Sequence, residues 1–179
     1  DAVWHAARAH DGRGPATRLS LDVPRALGRA DIRAVSVDLY RGQMAEPELA
    51  VVPPLVFAAA RAGDAVALGL VQRQADEVVA MATAAARRLD LDWPVPVVLG
   101  GSVLAARHAL LLDPVEAGLR AAGLEPRLVV PADPPVVGAA LLGLAAHLGG
   151  PVPADVEARL RTALGSAPTT RTLAVAEEA

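Results

Sequence analysis

The chain has 179 residues, of which 53% are hydrophobic and 21% charged, a composition that excludes a disordered chain and suffices for one globular domain with a core. Its net charge of −3 at pH 7 excludes the basic surface that nucleic-acid binding needs. Because cysteine and lysine are both absent, disulfides, zinc ribbons, cysteine nucleophiles and lysine-based phosphate clamps are excluded as well.

The N-terminal sequence DAVWHAARAH lacks the basic-then-apolar pattern of a signal peptide. No apolar run reaches the length of a membrane span, because Pro, Gly or a charged residue interrupts each one. We therefore expect a cytoplasmic protein without a membrane partner. The sequence begins without Met and inside a helical pattern, so we also expect it to be cut from a longer protein.

Most of the chain is predicted to be helical. Gly63 is expected to end one helix and Asp64 to cap the next, while Thr17 is placed to cap an earlier one. Pro53 and Pro54 predict a kink or a break, and residues 32–40 mix helical and strand periods and stay ambiguous. The predicted helices cover residues 1–10, 17–28, 46–61, 65–89, 102–112, 114–122, 133–150 and 154–164.

Two short apolar segments, residues 95–99 and 127–130, are predicted to be strands, and the first to be buried because it is apolar throughout. The helices between them imply a parallel crossover. Before the second strand, Asp113 is expected to cap a helix that has Pro114 in its first turn. Since two strands do not form a stable open sheet alone, we expect further strands that this sequence lacks.

Two glycines, Gly100 and Gly101, separate the first strand from the helix predicted to start at Ser102. Glycine lets a ligand approach the backbone, and a helix start offers unpaired N–H groups and a positive dipole end. This combination suits a phosphate or a nucleotide. A purely structural turn has the same sequence and is the more frequent case, and the segment is neither a Walker A loop nor a GxGxxG fingerprint.

Gly138 and Ala139 lie inside a nearly all-apolar segment. Because Gly in a helix costs about 1 kcal/mol relative to Ala, its presence there is interpreted as a close helix crossing. Arg107 and Arg13 are the candidates for contact with an anion. No metal site is predicted.

The segment LGGSVLAARHALLLDPVEAGLRA, followed by a short strand and PADPPVVGAALLGLA, resembles the C-terminal end of the N-acetylglucosamine kinase-like proteins. These belong to the BadF/BadG/BcrA/BcrD ATPase family of the actin/Hsp70/hexokinase superfamily. Upstream, HDGRGPATRL and the long segment from ELAVVPP to RRLDL resemble a loop and the paired helices of the same family. The resemblance extends from residue 1 to residue 147 in the family's order, and it depends on this ordered set of segments.

The resemblance implies a helix-rich α/β fold, namely part of the second ribonuclease-H-like domain of an actin-like ATPase, with its first strands missing from this chain. Residues 1–165 would form a C-terminal nucleotide-binding lobe, and residues 166–179 a flexible tail. Gly138 and Ala139 match a helix of the family's second domain that crosses the corresponding helix of the first domain at the hinge between the two domains. The residues implied to contact the adenosine side of ATP are Gly100, Gly101, Ser102, Val103, Leu104 and Arg107.

The resemblance also implies a function: an ATP-dependent sugar kinase that transfers the γ-phosphate of Mg-ATP to an amino sugar such as N-acetylglucosamine. The family's phosphate loops, catalytic carboxylate and main Mg-holding parts lie outside the matched segments, so the isolated chain is expected to be inactive.

Two alternatives stay open. One is the lobe of a BadF-type activator ATPase, which the lack of Cys disfavours. The other is a non-catalytic helical interaction or regulatory module, with residues 133–150 as its partner face. Core exposed by the missing strands also makes a homodimer a possible partner arrangement.

Overall fold

A computed structural model of the chain describes residues 1–89 and 94–165, which form an α/β fold composed mostly of helices. The tail predicted over residues 166–179 lies outside the described residues. In chain order the elements are α1 (Ala2–His10), α2 (Leu19–Ala26), α3 (Ile32–Tyr40), a 3-10 helix (Glu46–Val51), α4 (Val52–Arg61), α5 (Ala65–Leu89), β1 (Pro96–Val98), α6 (Ser102–Ala105), α7 (Ala109–Ala121), β2 (Arg127–Val129), α8 (Pro135–Leu148) and α9 (Ala154–Gly165).

The chain divides into two compact units, Asp1–Val130 and Pro131–Ala179. The first contains α1 to α7, the 3-10 helix and both strands, and the second contains α8 and α9. No single helix in residues 1–89 and 94–165 is long and apolar enough to cross a membrane. The helical segment Pro47–Arg61, which joins most of the 3-10 helix to α4, reaches the necessary length and composition when taken together with α5. The two segments are bent by 115° at the break between them.

The first unit is organised around α5, which has 25 residues and packs against α4, α7 and α1. Its predicted bounds, 65–89, are confirmed. One stripe of α5 faces the core, because from Ala67 onward the buried positions recur every three to five residues, close to the helical period. These buried residues are Val66, Ala67, Val71, Ala75, Val78, Thr83 and Ala86.

The junction between α4 and α5 confirms the predicted stop and cap. Gly63 has a φ of +83°, and the Asp64 Oδ1 atom accepts a hydrogen bond of 3.0 Å from the Ala67 N–H in the first turn of α5. The other carboxylate oxygen, Oδ2, accepts from the Thr17 hydroxyl and from the Arg18 N–H, both at 2.8 Å. Asp64 therefore caps α5 and also holds the segment from which α2 starts.

The structure decides the ambiguous segment 32–40 and the segment around Pro53 and Pro54. Residues 32–40, ambiguous by periodicity, form α3, and the Asp31 carboxylate caps it by accepting a 2.8 Å hydrogen bond from the Ala34 N–H. Of the kink or break predicted near Pro53 and Pro54, the structure shows a break, because a 3-10 helix ends at Val51 and α4 begins at Val52. Pro53 and Pro54 lie in the first turn of α4, where their missing N–H groups cost nothing.

The prediction that a helix starts at Pro114 with Asp113 as its cap is wrong. α7 begins five residues earlier, at Ala109, and Pro114 lies inside it. Proline removes one backbone hydrogen bond there, but the apolar face of α7 spans it, with Leu111 and Val115 fully buried on either side. Burial of that face therefore outweighs the local preference for a helix start at proline.

The two strands pair in parallel with Val97 opposite Leu128, which confirms the predicted crossover. Both side chains pack against the core, and Leu99, just after β1, is buried. The predicted burial of the whole first strand is wrong, because Val98 on the other face is 61% exposed. Within the described residues the sheet is thus covered on one face.

In the second unit, α8 packs against α9. α8 ends as predicted at glycine, since Gly149 adopts the left-handed conformation with φ +66°. Arg161 of α9 pairs with Glu157 in the same helix and with Asp133, which precedes α8. Val137 is buried, whereas Leu142 is 76% exposed.

Candidate functional site

The loop predicted to bind nucleotide lies where the two parallel strands end. Gly100 and Gly101 follow β1, and the Arg107 Nη2 group donates a 3.2 Å hydrogen bond to the carbonyl oxygen of Val130, directly after β2. Parallel strands bring their carboxyl ends to one edge of a sheet, and open α/β sheets bind ligands beside that edge. The fold therefore places the loop from Gly100 to Arg107, called the glycine loop below, in a position suited to a ligand.

The two glycines of this loop have different conformations. Gly101 has φ +95° and ψ 154°, a region that is essentially restricted to glycine. Gly100 does not have a positive φ, and a Cβ built on it would meet no heavy atom within 4 Å. The backbone therefore explains glycine at position 101, whereas nothing in the described part of the chain requires it at position 100.

The helix that follows the glycines is shorter than predicted. α6 has four residues, and the predicted helix over residues 102–112 is interrupted at Arg107, whose φ is +53°. The interruption allows α7 to begin separately after His108. A single turn still exposes unpaired N–H groups, but it sums few peptide dipoles, so the predicted attraction of an anion by a helix dipole is lost.

The predicted adenine-slot residues separate into exposed and core-facing positions. Ser102 is exposed at the start of α6, whereas Val103 and Leu104 are half-buried and pack against the hydrophobic core. Arg107 is exposed, and although one N–H group is used on Val130, guanidinium carries further donors. The loop thus brings Gly100, Gly101, Ser102 and Arg107 to the surface.

The residue after the loop, His108, makes a contact that the sequence did not predict. Its ring stacks on Phe57 of α4, with ring centroids 4.0 Å apart and an interplanar angle of 24°. His108 is also the N-cap of α7. No local signal reveals this contact, because Phe57 lies 51 residues earlier in the chain.

A cavity of about 340 Å³ adjoins α6 and was also not predicted. Its apolar walls come from α4, α5 and α6, and the predicted site residue Val103 is one of them. A polar rim includes Asp1, Arg73, Gln74 and Glu77. The helical spacing of apolar residues in α4 and α5 indicates a buried face, but it does not distinguish a filled core from a cavity wall.

The remaining predicted positions lie outside the glycine loop. Gly138 and Ala139 are exposed on α8, and a Cβ on Gly138 would meet no heavy atom within 4 Å. The described part of the chain therefore contains no partner for the predicted helix crossing, which stays a prediction. Arg13 is bound to Asp11, and the hydrogen bond from Arg13 is the main cause that lowers the pKa of the Asp11 carboxyl.

No group of three or more metal-ligating side chains lies together among the described residues. The two candidate ligand sites are the glycine loop and the cavity beside α6. The family resemblance that predicted the first of them depends on the sequence segments alone. Comparisons of the chain with protein-family models, with curated proteins and with solved structures found no match.

Proposed function

We propose that the chain is the nucleotide-binding lobe of an ATP-dependent sugar kinase of the N-acetylglucosamine kinase-like type. The proposal rests on one observation, the presence of an exposed glycine, Gly100, beside the carboxyl ends of β1 and β2. The conformation and the surroundings of Gly100 would accept a side chain. Such a glycine is expected where a ligand must reach the backbone. The ribonuclease-H-like fold and the cytoplasmic location belong to the same proposal.

In this proposal the glycine loop contacts the adenosine side of ATP. Gly100 and Gly101 leave the backbone accessible, Ser102 offers a hydroxyl group, and the free N–H groups of the Arg107 guanidinium are donors for phosphate oxygens. The chain binds and orients the nucleotide. The resemblance assigns no phosphoryl-transfer residue and no main Mg ligand to these 179 residues.

Chemical-shift mapping with ADP tests the proposal. Amide signals between Gly100 and Arg107 should shift in a saturable manner at millimolar ADP, whereas those of α9 should not. The absence of any saturable shift in the glycine loop at that concentration would contradict nucleotide binding by this chain.

The exposure of α8 favours a second candidate function, a helical interaction module. α8 contains no Asp, Glu, Lys or Arg, and Val136, Leu142 and Leu148 are 49%, 76% and 54% exposed. Large exposed apolar areas mark interaction surfaces. This function predicts that ADP leaves the spectrum unchanged while the signals of α8 shift with protein concentration, because α8 then acts as a contact surface, including one between two copies of the chain.

A further inference from the structure

The cavity beside α6 has the size and the walls of a small-molecule site. Its volume of about 340 Å³ is comparable to the smaller ligand pockets of proteins, which begin near 300 Å³. Its apolar floor, defined here as Val56, Phe57, Leu70 and Val103, comes from three different helices. Such a floor fits the hydrocarbon body of a ligand.

Residues of the floor also pack against the interior of the first unit. Phe57 is 5% exposed, and its ring stacks on His108 at a centroid distance of 4.0 Å. Val103 and Leu70 both pack against the hydrophobic core. Because these side chains pack against the core, we expect the walls to change little on binding, so that little ordering entropy opposes it.

The rim determines which polar group a ligand should carry. The Asp1 carboxylate and the Arg73 guanidinium lie 3.6 Å apart and form an ion pair, and the N-terminal ammonium group of the chain, on Asp1, is a further cation on a residue that lines the cavity. The carboxylate of Glu77, one turn further along α5, makes no ion pair or hydrogen bond with any residue in 1–89 or 94–165, and neither does the side-chain amide of Gln74. The rim therefore presents an unpaired carboxylate beside an amide oxygen, both of them acceptors for N–H groups.

We propose that this cavity binds small organic amines, with the protonated nitrogen at Glu77 and an aromatic or aliphatic body on the apolar floor. The nitrogen gains a charge-assisted hydrogen bond, and the body leaves water. The cavity shares one residue, Val103, with the glycine loop, and its binding of amines can be measured separately from nucleotide binding.

Titration of the purified 179-residue chain with three matched probes tests the proposal. 2-Phenylethylamine carries the cation, 2-phenylethanol is its neutral counterpart, and 3-phenylpropionate is an anion of similar size. The methyl signals of the apolar floor should shift on addition of the amine. The amine should bind about two- to fivefold more tightly than the alcohol, the size expected for an exposed ion pair, and the anion should bind most weakly.

Variants of α5 identify the carboxylate responsible. Glu77→Gln should remove the preference for amine over alcohol while leaving the binding of the alcohol unchanged. Asp76→Asn is the matched control, because Asp76 accepts a hydrogen bond from Gln72 and does not line the cavity. The proposal is overturned if no probe shifts the floor methyl signals, if the three probes bind equally, or if Glu77→Gln keeps the preference.

Discussion

Gly118 of α7 lies so close to Val79 of α5 that a Cβ built on Gly118 would be 2.7 Å from the Val79 Cγ2 atom. This is the closest approach recorded at any glycine of the described chain. It lets α7 rest directly on α5, and α7 begins just after the glycine loop. The position of the loop therefore depends in part on a helix crossing that a methyl group would disturb.

Gly118→Ala should lower the free energy of unfolding by about 1 kcal/mol, because overpacking against the stiff Val79 side chain exceeds the gain in helix propensity. Urea unfolding measures the change. Gly69→Ala is the control, since Gly69 lies in α5 and an added Cβ meets no heavy atom within 4 Å. The Gly69→Ala variant should be more stable than the natural chain by up to about 1 kcal/mol. Equal free energies of unfolding for the two variants would contradict the close crossing at Gly118.

Asp64→Ala should destabilise the protein by about 2–3 kcal/mol, because it removes the cap of α5 together with the hydrogen bonds from Thr17 and Arg18. Asp31→Ala is a matched cap removal, since within the described residues the Asp31 carboxylate accepts a hydrogen bond only from the Ala34 N–H, and it should cost about 1 kcal/mol. Thermal and urea unfolding compare the two variants. Equal losses would mean that the contacts to the start of α2 contribute nothing.

The same carboxylate should make stability depend on acid pH. Burial by itself would raise the pKa of Asp64, but the hydrogen bonds from Ala67, Arg18 and Thr17 outweigh it and hold the pKa below its usual value. A lowered folded-state pKa contributes stability above the unfolded value of about 3.9 that is lost as pH falls through the folded pKa. Melting temperatures measured from pH 7 to pH 2 should therefore fall more steeply for the natural chain than for Asp64→Asn, and parallel curves would contradict this.

The two glycines of the loop should respond oppositely to alanine. Gly101→Ala should cost about 1–3 kcal/mol of stability, because alanine does not tolerate that backbone conformation. Gly100→Ala should keep or slightly raise stability but weaken ADP binding about fivefold, a loss of about 1 kcal/mol, by blocking access to the backbone. Calorimetry and titration separate the two effects, with Gly69→Ala as the control for binding. Unchanged ADP affinity in Gly100→Ala would make the turn purely structural.

The purified chain should not transfer phosphate from ATP to N-acetylglucosamine, because the resemblance assigns it no catalytic carboxylate and no phosphate loop. A coupled assay for ADP formation, with and without the sugar, measures this. Sugar-dependent turnover that survives repeated purification would show that these residues contain phosphoryl-transfer chemistry of their own.

The candidate site was partly predictable. The Gly100 and Gly101 turn after a strand was visible in the sequence, as was the parallel pairing that places it at the carboxyl edge of the sheet. The stacking of His108 on Phe57 and the position of Glu77 on the cavity rim were not predictable. Those features depend on side chains that come together from separate helices. A single sequence does not show which distant residues lie close to each other in the fold.

By itself the sequence determined the elements that local interactions specify. The span of α5, its cap at Asp64 and the end of α8 at Gly149 follow from periodicity and from residues within one turn of each other. Only the tertiary structure decided that Pro114 lies inside a helix, that Val98 is exposed and that Asp64 also holds the start of α2. The reason is physical: caps and turns act over a few residues, whereas burial depends on neighbours that are distant along the chain.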